Sequence, residues 1–420
     1  MRLIVLCCAL FATSVLGQPL PTASPESAGF SSAGMARIDA FFAREIAADR
    51  VPGAVVAIAR NGKLVYYKAF GFLDKAAGKP MPLDAIFNLA SMTKPMAAVG
   101  GLALMETGRL PLKSPLDAYF PEFAHMRVGT ATAGGDITYE PAQPIYIQDL
   151  YRHTSGLVYG ARGHTPMHKF YPPSSAGSAI NLTGAEFVAK LAAAPLLYQP
   201  GTVWDYSLSV DLLGQVIEKV TGERLGAYLK TALWDKVKMP DTGFTIPEQK
   251  RERIARPLPR DPITGKAQKV VLLDTPIKFD CAGGCGFGTV GDYLRFGEML
   301  LEGGSLDGER VLSPKTVQLM TSDHLGSGIR NQVAGTEPQR AGYGFGLTVA
   351  VRVDDGIAAV PGSKGDYTWN GANGTLWWND PREHLVVVVG TVAPGPIRKY
   401  YREAMADLVY GAMTESYRRR

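Results

Sequence analysis

Ser91 and Lys94 stand three positions apart in FNLASMTKPMAAVG, residues 87–100, where an apolar strand-like run gives way to a helix-like one. On a helix, residues three apart share a face, so the serine Oγ and the lysine Nζ can come within hydrogen-bond reach. A serine hydroxyl is a weak nucleophile until a neighbouring base takes its proton, and a lysine serves as that base only when burial or a nearby cation holds it neutral. In the first turn Ser91 would lie at the positive end of the helix dipole, which favours a developing alkoxide and disfavours a protonated Lys94. Pro95 is compatible with that turn, because the N–H it lacks would have no helical partner there. The plain alternative is an N-cap serine with an exposed lysine, and only context separates the two.

Two other stretches supply context. Tyr206, in GTVWDYSLSVDLLGQVIEKVTG, lies just before an amphipathic helix with apolar residues at Leu208, Leu212, Leu213, Val216, Ile217 and Val220. Beside a lysine ammonium its phenol can act as a proton shuttle, whereas alone it would be half-buried packing. Gly371, in YTWNGANGTLWWND, permits close backbone approach within a strand. The N–H of Ala372 could then face a substrate carbonyl together with that of Ser91, the alternative being a bulge beside a tryptophan-rich core.

Ser91-Met92-Thr93-Lys94, Tyr206-Ser207-Leu208 and Trp369-Asn370-Gly371, in that order and spacing, resemble the three motifs of the serine β-lactamase and penicillin-recognising superfamily. The similarity is closest to class C β-lactamases and family VIII carboxylesterases. HTSG at 153–156 and CAGGCGFGTVGDYLRF also look like that family's stretches, so the resemblance spans about Gly53 to Val392. It implies an α/β (α+β) β-lactamase-like fold, in which an antiparallel sheet from the N- and C-terminal segments is flanked by helices and carries an inserted, mainly helical region. It also implies an acyl-enzyme mechanism: Ser91 attacks, Lys94 takes the proton or primes Tyr206 to do so, and an oxyanion hole forms from the N–H groups of Ser91 and Ala372. His153 tempts a triad reading, but no Gly-x-Ser-x-Gly pentapeptide accompanies it, and it is read as structural.

Two departures from the family pattern bear on substrate. Leu208 stands where a class C β-lactamase usually has the asparagine that contacts the drug's acylamino group, and Trp369 where it has the lysine that faces the β-lactam carboxylate. With Trp369, Asn370, Gly371 and Leu208 as substrate-binding residues, the resemblance implies a preference for neutral, lipophilic acyl groups, with Lys364 as a partial substitute for the missing cation. The expected substrate is a small-molecule ester, and neither cofactor nor metal is expected.

The elements that must position these residues follow from pattern. Met35, Ile38, Phe41, Phe42 and Ile46 have helical spacing, ended by Pro52 and Gly53. GAVVAIARNGKLVYYKAFGFLD is two β-rich runs joined by Asn61-Gly62, a strong type I′ hairpin signal. A helix from Ser91 to about Thr107 stops at Gly108. Residues 111–278 read as helical fragments without a run of paired strands. YGFGLTVAVRV, YTWNGANGTLWWND and HLVVVVGTV read as strands, and a last helix starts near Ile397. The implied organisation is an α/β domain from 25–110 plus 279–420, with 111–278 inserted.

The 420 residues suffice for a large core, and 46% hydrophobic with 20% charged residues is a globular composition. A net charge of +5, without a basic stripe interleaved with aromatics, argues against nucleic acid as a partner. MRLIVLCCALFATSVLGQPL reads as a signal peptide over 1–17, so a secreted or periplasmic protein without stable membrane insertion is expected; a lipid anchor at Cys7 or Cys8 is disfavoured by Leu6. Cys281 and Cys285 are then the remaining cysteines and could form a short-loop disulfide, metal binding being the weaker reading. Oligomeric state stays open.

Overall fold

The computed structural model describes residues 20–417 except 271, 273 and 274. The expected signal peptide and Cys7 and Cys8 lie outside the described residues. Eight strands form one antiparallel sheet: β1 (Gly53–Arg60), β2 (Lys63–Asp74), β3 (Lys79–Pro80), β4 (Tyr343–Phe345), β5 (Ala350–Arg352), β6 (Tyr367–Asn370), β7 (Leu376–Asp380) and β8 (Leu385–Thr391). The order is β4-β5-β6-β7-β8-β1-β2-β3, so the two ends of the chain meet where β8 pairs with β1, Ala54 opposite Thr391. β1 and β2 join through Asn61 and Gly62 at φ 54° and 70°, the paired positive dihedrals of the expected turn.

Both faces of the sheet are covered, which explains the unbroken apolar run of the central strands. Ala54, Val56 and Ile58 of β1 pack into a core with helices α1 (Ser32–Ala47) and α5 (Ile397–Gly411), through Ile38, Phe42, Tyr401 and Met405. Val55, Ala57 and Ala59 face a larger core beneath helices α2 (Thr93–Glu106), α3 (Ser209–Thr221) and α4 (Val290–Leu301). Fully burying a side chain such as Phe42 or Met405 contributes roughly 1.5–3 kcal/mol, so this two-sided arrangement supplies a stiff base for the site.

Two elements differ from the sequence reading. The run from Tyr343 to Arg352 is two short strands rather than one, because Thr348 adopts a φ of 74° and folds β5 back on β4, Tyr343 opposite Arg352. Residues 111–278 also contain a hairpin, Arg127–Ala131 with Ile137–Pro141, whose threonine-rich, largely exposed strands lack the apolar alternation that marks a strand in sequence. A separate two-stranded pair joins Ile86–Asn88 to Phe287–Thr289, Asn88 opposite Phe287. It ties the chain entering α2 to the chain leaving the Cys281–Cys285 loop. Those cysteines form a disulfide and are fully buried.

Candidate active site

Ser91 lies in a 3-10 turn, Ala90–Met92, that leads into α2. The sequence reading put it in the first turn of the α-helix itself; the difference arises because the chain must turn sharply after Asn88, and Ala90 takes up that turn at a left-handed φ of 45°. A non-glycine residue held there stores backbone strain. Thr93 secures the turn: its hydroxyl donates to the Ala90 carbonyl at 2.6 Å and accepts from the Gly286 N–H at 2.9 Å.

Lys94 is fully buried on the first turn of α2 and reaches back to Ser91. Its Nζ meets three oxygens, Ser91 Oγ at 3.2 Å, Tyr159 Oη at 3.2 Å and the Gly283 carbonyl at 2.5 Å, which is the number an ammonium group can satisfy. Tyr206, at the entry to α3, lies on the other side of Ser91, with Oη 2.7 Å from Oγ. Its ring is caged by Trp369 and His153, whose centroids are 5.2 and 4.8 Å away, and Lys94 Nζ stands 4.6 Å from its own centroid. The Trp369 indole donates to the phenol oxygen at 3.3 Å. Ser91, Lys94 and Tyr206, drawn from three separate stretches of sequence, are thus in mutual contact.

Burial alone would push the Tyr206 phenol up, but the charge of Lys94 and hydrogen bonding with Ser91 and Trp369 outweigh it, and the net direction is down. Tyr159 goes the opposite way: burial, then the proximity of Tyr206 and Asp211, holds its phenol well above the ordinary value. The two tyrosines around Lys94 are therefore pushed apart, one toward phenolate and one toward a fixed neutral donor.

Behind Lys94 runs a buried chain that sequence reasoning missed. Tyr159 Oη is 2.9 Å from Ser175 Oγ, Ser175 donates to Asp211 Oδ2 at 2.6 Å, and Asp211 Oδ1 accepts from the Gly283 N–H at 2.8 Å. A Cβ at Gly283 would lie 2.2 Å from Asp211 Oδ2 and 2.4 Å from Ser175 Oγ, so only glycine brings that carbonyl to Lys94. The glycine-rich stretch was visible in sequence; that its backbone serves as a lysine ligand was not. His153 is a structural residue of this surround. Its Nδ1 accepts from the Ser207 N–H at 3.3 Å, and burial, reinforced by the charges of Lys94 and Arg162, holds it neutral.

Ser91 opens onto a cavity of about 310 Å³ lined by Tyr206, Ala372, Val270 and Leu272 among others. Gly371 makes the expected close approach: a Cβ there would lie 2.5 Å from the Leu89 carbonyl oxygen. The other expected substrate contacts lie elsewhere. Leu208 is fully buried at the cap of α3, Trp369 is spent on the Tyr206 phenol, and Asn370, with its amide turned to match its neighbours, accepts from Arg340 at 3.0 Å. None of the three lines the cavity, nor does Gly371: Leu208 turns into the core, Trp369 packs against the Tyr206 ring and Asn370 faces Arg340. Lys364 is exposed and also outside it. Arg162 and Lys269 do line it, and among the described residues no Asp or Glu does, so the described wall is more cationic than the motif substitutions implied. Among the described residues no group of three His, Cys, Asp or Glu side chains could hold a metal ion.

A strained serine turn, a buried lysine and a phenol around one hydroxyl, on an antiparallel sheet closed by the chain's two ends, define a serine hydrolase of the β-lactamase-like class. The chain belongs to the beta-lactamase family, whose model matches residues 38–411. Protein Rv1367c of Mycobacterium tuberculosis is 34% identical over 342 residues, covering 80% of this chain and 84% of that protein. Esterase EstB of Burkholderia gladioli is 30% identical over 374 residues, covering 85% and 90%. The solved structure of EstCE1, described as a hydrolase with promiscuous acyltransferase activity, superposes with a TM-score of 0.74 at 27% identity, covering 90% of this chain and 98% of that one.

The lowered phenol gives a direct expectation. A depressed Tyr206 is phenolate above its shifted pKa, so ultraviolet titration should show one tyrosine ionising below the ordinary value of 10.0 that Tyr206→Phe removes, while Tyr159 stays protonated beyond it. Identical titrations of the two proteins below that pH would refute the assignment.

Proposed function

We propose that this enzyme hydrolyses short-chain carboxylic esters through an acyl-enzyme on Ser91. The observation that carries the reading is the 2.7 Å contact between Tyr206 Oη and Ser91 Oγ beside the charge of Lys94. In the proposed reaction Ser91 Oγ bonds to the ester carbonyl carbon while its proton passes to the Tyr206 oxygen. The displaced electron pair forms an oxyanion between the N–H groups of Ser91 and Ala372. Collapse of that intermediate breaks the bond to the alcohol, which leaves with the proton from Tyr206. Water then repeats the sequence on the acyl-serine, its proton going to Tyr206 and the acid departing as Ser91 is restored. Lys94, beside the ring, is the main influence that lowers the phenol's pKa.

The cavity volume supports a short acyl chain, and Val270, Leu272 and Pro173 supply the apolar wall for it. Similarity to EstB, named an esterase, supports ester over amide chemistry. A transferase, passing the acyl group to an alcohol in place of water, is a second reading supported by the printed description of EstCE1. Export is an accompanying proposal from the N-terminal sequence, tested by whether the secreted chain begins at Gln18.

4-Nitrophenyl butyrate should be turned over far faster than nitrocefin, with a loss of at least about 100-fold in Ser91→Ala; equal or faster nitrocefin turnover would overturn the esterase assignment. With Arg162 and Lys269 on the wall, a carboxylate at the far end of the acyl chain should also be welcomed. Arg162→Gln should lower kcat/KM for mono-4-nitrophenyl adipate about tenfold while sparing 4-nitrophenyl hexanoate, a charge-assisted contact being worth ~1.5–3 kcal/mol before solvent screening. Equal effects on both esters would remove the charge argument.

A further inference from the structure

Behind the strand end at Gly371 lies a cluster of arginines with no part in the chemistry described so far. Arg402, on α5, and Arg340 are buried, and Arg398 is half-buried. Among the described residues, Glu337 is the carboxylate ion-paired to this group, through Arg402. Arg340 stacks over Trp369, its guanidinium 4.0 Å from the ring centroid. Arg402 Nη2 donates to the Gly371 carbonyl at 2.6 Å, and the Gly374 N–H donates to the same oxygen at 3.1 Å. Burial lowers the Arg402 pKa, partly offset by Glu337, to about 9, which leaves the guanidinium charged at neutral pH.

The Gly371 carbonyl and the Ala372 N–H belong to one peptide unit. No peptide bond among the described residues is cis, and in a planar trans peptide the C=O and N–H point to opposite sides. Anchoring the oxygen on the arginine side therefore aims the N–H toward the side where Ala372 and Ser91 line the cavity. A charge-assisted hydrogen bond to a carbonyl also draws electron density from its nitrogen and strengthens the N–H as a donor. At a buried position this charge is weakly screened.

We propose that Arg402 is a positioning residue that orients and polarises the Gly371–Ala372 peptide, so that a guanidinium on one side of the peptide supports the oxyanion on the other. This rests on the acyl-enzyme reading above and assigns a function to a buried cation that packing alone does not require.

The test compares 4-nitrophenyl butyrate with its thionoester, whose sulfur is larger and a poorer hydrogen-bond acceptor and so gains less from an oxyanion hole. Arg402→Gln should lower kcat for the oxygen ester at least about tenfold with little change in KM, and the thionoester less than about threefold, so the ester-to-thionoester ratio falls. Arg402→Lys, which keeps a donor and a charge for Glu337, should recover part of the ratio. Glu337→Gln, which leaves the bond to Gly371 in place, should preserve it. Circular dichroism and thermal melting establish that each variant is folded. If Arg402→Gln fails to fold, a ratio unchanged in Arg402→Lys overturns the proposal. Equal losses for the two substrates, or a fall in Glu337→Gln matching that in Arg402→Gln, also overturn it by reducing Arg402 to a packing role. Absence of any Ser91-dependent ester turnover in the unaltered enzyme would instead defeat the esterase reading.

Discussion

The contact on which the rest depends is that of Lys94 Nζ with three oxygens, from Ser91, Tyr159 and Gly283. A buried cation is stable only when its donors are matched, and leaving one unmatched costs several kcal/mol. The surrounding structure supplies each match. α2 delivers Ser91 from the turn before it, the loop after the HTSG stretch delivers Tyr159, and the loop closed by the Cys281–Cys285 disulfide delivers the Gly283 carbonyl. The same charge, 4.6 Å from the centroid of the Tyr206 ring, lowers the pKa of a phenol that burial alone would raise.

The large sheet makes that arrangement rigid. β1 and β8 at its centre are buried on both faces, and the short pair Ile86–Asn88 with Phe287–Thr289 couples the serine turn to the Gly283 loop. Asp211 and Ser175 fix the far side of the loop from α3 and the helix Ser175–Asn181. A displacement of Gly283 would therefore move Lys94, Tyr159 and Asp211 together. On the opposite side of Ser91, the β6 strand end carries Trp369 to the phenol and Gly371 against Leu89. Ser91, Tyr206 and the Ala372 peptide are thus held by separate elements, the turn before α2, the start of α3 and the end of β6.

Much of this was legible in the sequence, and the limits have physical causes. The Asn61-Gly62 turn, the helix spacing in α1 and α3 and the motifs around Ser91, Tyr206 and Gly371 are local signals that tertiary structure did not override. Tyr159, Ser175 and Asp211 escaped because each is ordinary in its own stretch and acquires meaning only when helices far apart in sequence converge. Gly283 escaped because the atom that matters is its backbone oxygen. Trp369 and Leu208 were placed on the substrate because motif spacing says which residues are neighbours, not which way their side chains point. The fold of Tyr343–Arg352 escaped because a positive φ at Thr348 has no signature in residue type.

Among the described residues the wall of the cavity combines an apolar surface with Arg162 and Lys269 and has no acidic residue, so its charge comes from loops and not from the strand that bears the family's third motif. The central claim is that Ser91 becomes covalently acylated because Lys94 and Tyr206 make its oxygen reactive. Intact-protein mass spectrometry after brief exposure to 4-nitrophenyl butyrate, followed by digestion, tests it most directly. The account requires a mass gain of one butyryl group located on Ser91 in the unaltered enzyme, and none on the same timescale in Lys94→Met or Tyr206→Phe. Acylation at another residue, or acylation of Ser91 at an unchanged rate in both variants, would contradict it.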